Sequence, residues 1–149
     1  MKSAETIFRQ FLKEKGLLFS KQREQILAAF VKIKNHPTVD DLYNGVKKKN
    51  PRIGLATVYR TMKVMCDCGL AREIDFEDGV RRFEHNFHRQ HHHHLVCTKC
   101  GRVIEVTNDR IESLQKKMAR EHNFASTRDT MKIFGLCSKC QQVPYRKKH

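Results

Sequence analysis

Apolar residues recur at three- and four-residue intervals through roughly the first seventy positions of the chain, then at closer intervals. Ile7, Phe8, Phe11 and Leu12 form one stripe over residues 4–15, which predicts an amphipathic helix stopped by Gly16. Ser20 suits the cap of a second helix, with Ile26, Leu27, Phe30 and Val31 as its buried stripe. The break Asn35-His36-Pro37 follows, and Thr38 opens a third helix with Asp41 at capping-box spacing. Val39, Leu42, Tyr43 and Val46 give that helix its apolar face. After the turn Asn50-Pro51-Arg52-Ile53-Gly54, a fourth helix runs from Leu55 to about Asp67, with Leu55, Val58, Met62 and Met65 facing inward. Beyond Gly69, residues 70–76 and 80–84 alternate loosely about Glu77-Asp78-Gly79, which predicts a hairpin. Helices followed by a two-stranded hairpin outline a winged helix, and the helix before the hairpin would then be the recognition helix.

Six of the nine histidines lie in the polar stretch 85–94, which separates two patterned halves. The expected domains are therefore 1–87 and 88–149, in an α+β chain. The second half predicts a strand at Leu95-Val96, a strand over 103–106, a helix from about Asp109 to Glu121 and a third strand ending at Ile133-Phe134. The tail from Gln141 to His149 is basic and expected to be loose.

Composition narrows the class. The chain has 149 residues, enough for one large domain or two small ones, with 39% hydrophobic and 31% charged residues, which excludes a disordered chain. No apolar run reaches membrane-spanning length, and the first twenty residues mix charges without an apolar signal core, so a cytoplasmic protein is expected. The net charge of +14 points to a polyanionic partner, most often nucleic acid. Both halves share it, with +6 over residues 1–85 and +8 over 86–149. The absence of Trp and the presence of only three Tyr argue against a single-strand stacking platform.

Cys97/Cys100 and Cys137/Cys140 are two C-x2-C pairs, which in a reducing compartment read as a closed, structural four-thiolate zinc site. Cys66 and Cys68 read as small apolar side chains near a helix end. In an extended segment His92 and His94 share one side and His91 and His93 the other, a pattern able to feed two metal ions. Glu84, Glu105 and Glu112 are carboxylates with suitable reach, and imidazole–carboxylate sets suit Fe2+, Mn2+ or Zn2+. The competing reading is a solvated His-rich linker. No H-E-x-x-H, nucleophile-elbow, P-loop or zinc-deaminase pattern occurs, so no enzyme is expected.

The stretch Ile53-Gly54-Leu55-Ala56-Thr57-Val58-Tyr59-Arg60, the His run, Cys97-Thr98-Lys99-Cys100-Gly101 and His36-x5-Leu42-Tyr43 together resemble the ferric uptake regulator family from about Gly16 to Cys140. The resemblance implies an N-terminal winged helix-turn-helix domain followed by a small α/β dimerisation domain with the structural zinc site. It implies a homodimeric, metal-responsive repressor on an inverted-repeat double-stranded DNA operator. By position, Thr57, Tyr59 and Arg60 would lie on the recognition helix, and Arg23 would match a basic residue of the second helix. Leu18 stands where the family has a basic minor-groove residue, leaving Lys15 or Lys21 to supply that contact, or none. The regulatory site would resemble His36, Glu84, His92, His94 and Glu105, holding Fe2+ or Mn2+. A second metal site would resemble His91, His93, Glu112 and Asp129, with the Asp and last His exchanged relative to the family.

Glu at both 84 and 105 favours iron sensing and control of iron uptake genes, since the peroxide-sensing branch typically carries Asp there. His36-Pro37-Thr38 keeps the peroxide branch as the alternative. The rival from another class is a zinc-ribbon nucleic-acid-binding or metal-buffering protein without operator specificity.

Overall fold

A computed structural model describes residues 1–142. Of the tail expected to be loose, residues 143–149 lie outside the described residues. The chain divides into two compact units, Met1–Arg89 and Gln90–His149. No helix among the described residues is long and apolar enough to cross a membrane.

The first unit contains α1 (Ala4–Glu14), α2 (Lys21–Lys32), α3 (Val39–Lys49), α4 (Leu55–Asp67) and the antiparallel pair β1 (Ala71–Asp75) and β2 (Arg81–His85). The helix starts are those the side chains dictate. Ser3 and Ser20 accept from the backbone N–H groups of Thr6 and Arg23. Thr38 and Asp41 close a capping box, with Asp41 N donating to Thr38 Oγ1 at 3.0 Å and Thr38 N donating to Asp41 Oδ2 at 2.9 Å. Gly69, at φ 79°, ends α4, and Leu70 N donates back to Met65 O at 2.9 Å.

The core joins Phe8, Leu12, Ile26, Phe30, Leu42, Val58, Met62 and Met65, all essentially inaccessible, with Leu70 and Phe83 closing it from the hairpin. Each such side chain contributes about 1.5–3 kcal/mol by leaving water. Two stripe positions differ from expectation. Val31 and Leu55 are 43% and 45% exposed. Val31 lies about 100° round the helix from Phe30, off the buried stripe, and Leu55 is the first residue of α4, before the helix meets the core. This unit is a winged helix-turn-helix fold.

The second unit is built on β3 (His93–Cys97), flanked antiparallel by β4 (Val103–Val106) and parallel by β5 (Lys132–Gly135), giving the order β4-β3-β5. Between β4 and β5 lies α5 (Asp109–Glu121), capped by Asn108. The short α6 (Ser138–Gln141) follows β5. Among the described residues here few apolar side chains are buried: Val96, Cys97 and Cys140 are, whereas Leu114, Met118, Phe124 and Ile133 are more than half exposed. The unit is an α/β fold with an apolar face left open in the single chain.

Candidate metal centres and nucleic-acid face

The end of β3 delivers Cys97, and the turn after it returns Cys100. Gly101, at φ 76°, allows that turn, and its N–H donates to Cys97 O at 2.9 Å. Cys137 precedes α6 and Cys140 lies within it, so strand and helix bring four sulfurs to one point. The four Sγ atoms all lie within 4.8 Å of one another, with Cys100 and Cys137 3.7 Å apart. The backbone N–H of Cys100, then that of Cys137, stabilises the Cys97 thiolate and brings its pKa down to about 6. Burial pushes the Cys140 thiol up to about 12. Four converging thiols fit one tetrahedral zinc ion, which would hold all four as thiolates and leave no open position.

The histidine and carboxylate candidates form two sets, one in each unit. In the first unit His36 lies in the loop before α3, with its ring edge-on to Phe76. Its Nε2 lies 3.4 Å from Glu84 Oε2 on β2. Glu84 is fully buried, and Arg72, its cross-strand partner on β1, donates to its other oxygen, Nε at 2.7 Å with Nη2 also on Oε1. That leaves Oε2 turned toward His36.

In the second unit the alternation of β3 puts His92 and His94 on one side, ring centroids 4.9 Å apart. His94 pairs with Glu105 in the β3–β4 register, and His92 Nε2 lies 3.8 Å from the Glu105 carboxylate. His92 Nδ1 lies 3.1 Å from Gln90 O. If it donates there, Nε2 is left as the lone-pair nitrogen, the form a metal needs.

The other face of β3 carries His93, fully buried, with His91 ring-to-ring at 4.9 Å. Both ring nitrogens of His93 and Nε2 of His91 are buried without a hydrogen-bond partner among the described residues. Burial, then the neighbouring His91, holds His93 below the ordinary histidine range, while Glu112 pulls the other way. Asp129 accepts a hydrogen bond from Ser126 Oγ. Among the described residues His91, His93, Glu112 and Asp129 do not close to the spacing that the cysteines reach.

The nucleic-acid candidates all lie in the first unit. The starts of α2 and α4 border a cleft of about 410 Å³ lined by Leu18, Ser20, Arg23, Thr57 and Arg60. Arg23 Nη1 donates to Leu18 O at 2.7 Å, which ties the loop before α2. Leu18 itself is 83% exposed. Lys21 and Tyr59 do not line this cleft. Lys21 pairs with Glu24 at 3.2 Å, and the Tyr59 hydroxyl meets Arg81 Nη1 on the hairpin at 2.9 Å. Arg72 and Arg81 are contributors that sequence reasoning missed. The register Arg72↔Glu84 was available as a signal, because the two residues are equidistant from the Asp78 turn. No local spacing connects Arg81 with Tyr59.

Comparison with known proteins agrees with this geometry. A profile of the ferric uptake regulator family matches residues 14–134. The ferric uptake regulation protein of Campylobacter upsaliensis is 34% identical over 135 residues, covering 89% of this chain and 86% of that protein. The peroxide-responsive repressor PerR of Staphylococcus epidermidis is 29% identical over 131 residues, covering 88% and 86%. The crystal structure of the Vibrio cholerae ferric uptake regulator superposes with a TM-score of 0.72 at 36% identity, covering 87% of this chain and 98% of that one. The winged helix, the four-thiol cluster, the histidine–carboxylate sets and this kinship together place the chain in the ferric uptake regulator family of metal-responsive, DNA-binding transcription regulators.

Proposed function

We propose that this regulator is an Fe2+-sensing homodimeric repressor of iron uptake genes. His36 and Glu84 of the first unit and His92, His94 and Glu105 of the second would share one divalent ion, Fe2+ or Mn2+. The observation that carries the reading is the pairing of histidine with carboxylate in each unit: Glu84 Oε2 toward His36, and Glu105 beside His92. Borderline nitrogen and hard oxygen donors without sulfur suit Fe2+ or Mn2+. An ion bound to both sets would cross-link the units and favour one arrangement of them, and operator affinity would rise by the differential affinity for that arrangement.

Thr57, Tyr59, Arg60, Arg23 and Lys21 are the proposed DNA contacts. Arg60 suits bidentate recognition of guanine, and the cleft it shares with Arg23 and Thr57 suits a phosphate. The exposed Leu114, Met118, Phe124 and Ile133 supply a dimer face, and a two-fold dimer implies an inverted-repeat operator. His91, His93, Glu112 and Asp129 are proposed as a second set whose ligands gather as an ion binds, supported by the unpartnered ring nitrogens.

The test is anaerobic fluorescence anisotropy with zinc-loaded protein. The probes are DNA from upstream of this protein's own gene and an unrelated duplex, titrated with Fe2+ at fixed salt. Fe2+ should tighten binding to the upstream duplex alone. Equal binding to both duplexes with and without metal would replace the regulator reading with a general nucleic-acid binder. Peroxide then separates the branches: irreversible loss of Fe2+-dependent binding under mild peroxide would favour peroxide sensing.

A further inference from the structure

The Tyr59 hydroxyl is already engaged before any DNA arrives. Arg81 Nη1 approaches its Oη at 2.9 Å, and Arg81 Nε pairs with Glu73 Oε1 at 3.0 Å. A guanidinium has five donors and no acceptor. Tyr59 Oη is therefore the acceptor in this contact, and its own proton must be directed elsewhere. Tyr59 is 48% exposed, so that proton is open to solvent or to a partner. Glu73 and Arg81 are diagonal neighbours across β1 and β2, since Glu73 registers with Phe83. Both are about half exposed.

We propose that Arg81 is a positioning residue that turns Tyr59 into a hydrogen-bond donor toward an acceptor oxygen or nitrogen on DNA. Glu73 keeps Arg81 on Tyr59 instead of on a phosphate. This rests on the reading of α4 as the recognition helix. The acceptors such a donor could meet are purine N7, guanine O6, thymine O4 or a phosphate oxygen. Glu73 also balances the Arg81 charge, so the hairpin adds sequence-reading geometry without adding a free cation. Removing Glu73 should therefore strengthen general attraction to DNA and weaken discrimination.

The test has two parts, both on the full zinc-loaded protein. In the first, tyrosine is labelled with 13C at Cζ, and Tyr59→Phe assigns its resonance. Arg81→Met should shift that resonance and leave that of Tyr43 in place. An unmoved Tyr59 resonance would overturn the contact.

In the second part, Fe2+-loaded variants are titrated at fixed salt against operator duplexes carrying single 7-deazapurine, uncharged methylphosphonate or thymine-to-cytosine replacements. One replacement should weaken the parent protein several-fold and leave Tyr59→Phe indifferent, and its type tells a base edge from a phosphate. Arg81→Met should lose the same discrimination several-fold, and the double variant should lose no more than Tyr59→Phe alone. Independent, additive losses would overturn the positioning role. Glu73→Gln should bind the unrelated duplex more tightly, with a logarithmic salt slope steeper by about one. An unchanged slope would overturn the role given to Glu73. If the parent protein never prefers operator over unrelated DNA, the regulator reading fails and the donor role fails with it. A shifted Tyr59 resonance would then report a structural contact alone.

Discussion

Arg72 carries the cation that meets the buried carboxylate of the first unit's hairpin. It engages one oxygen of the fully buried Glu84 and leaves the other facing His36. Groups that orient a metal ligand commonly carry 10–100-fold in affinity. Arg72→Met should therefore lower Fe2+ affinity by about that factor while zinc content stays unchanged, read by anaerobic titration against a competing chelator. Undiminished Fe2+ affinity would remove Glu84 from the ligand set. Arg60→Ala should cost operator binding about 1–3 kcal/mol and relax the preference at one base pair. Unchanged operator affinity at fixed salt would mean that α4 does not read the groove. At this scale the sequence was legible wherever chemistry follows spacing: the two C-x2-C pairs and the alternating histidines needed no tertiary information. Arg72 was half legible, because the hairpin turn fixes its partner across the strands. Arg81 was not legible, because its contact with Tyr59 joins a hairpin to a helix 22 residues away in the chain.

Among the elements, α3 shows local chemistry placing a proposed metal ligand. The Thr38–Asp41 box fixes the helix start two residues after His36. Thr38→Ala should cost about 1 kcal/mol of stability to urea, as caps usually do. It should also loosen the loop that presents His36, so Fe2+ binding should weaken more than operator contacts do. Equal stability of the two proteins would show that the box contributes nothing. The four helices were readable from their stripes because one helix face meets one core. The stripes failed at Val31 and Leu55, where a neighbouring apolar residue lies off the buried arc or at the first position of a helix. For α5 the difficulty is different. Its apolar Leu114 and Met118 form a plausible stripe, yet no residue of the helix is buried. In the proposed dimer this stripe would pack against another copy, which a single sequence does not draw.

Across the whole molecule, few apolar side chains among the described residues of the second unit are buried in the single chain, so a bound zinc ion should supply much of its folding energy. Removing zinc with a strong chelator should unfold residues 90–142 and spare the helical first unit, seen as loss of β3–β4 amide protection with the α2–α4 amides retained. A second unit that stays protected would make the zinc dispensable. The pH dependence has a definite sign. The Cys97 thiol, lowered to about 6, favours the folded site above the ordinary thiol range and loses that advantage as pH falls through about 6. Cys140, raised to about 12, must give up its proton to any bound metal. Zinc binding should thus release protons, and apparent affinity should rise with pH, most steeply below about 6, in chelator competition from about pH 5 to 8. A flat profile would contradict this.

The strand β3 gives these properties an order in time. It carries His94 near one end and Cys97 at the other, three residues or about 10 Å along one extended backbone. A proposed ligand of the regulatory ion and a thiol of the four-cysteine cluster are thus on one continuous piece of chain. Under the proposed Fe2+-sensing role, a newly made polypeptide whose thiols are oxidised, or which has found no zinc, would not set that strand and would not register iron however much is present. Iron responsiveness would then be conditional on prior thiol reduction and zinc supply. The cell would read the absence of either as iron scarcity.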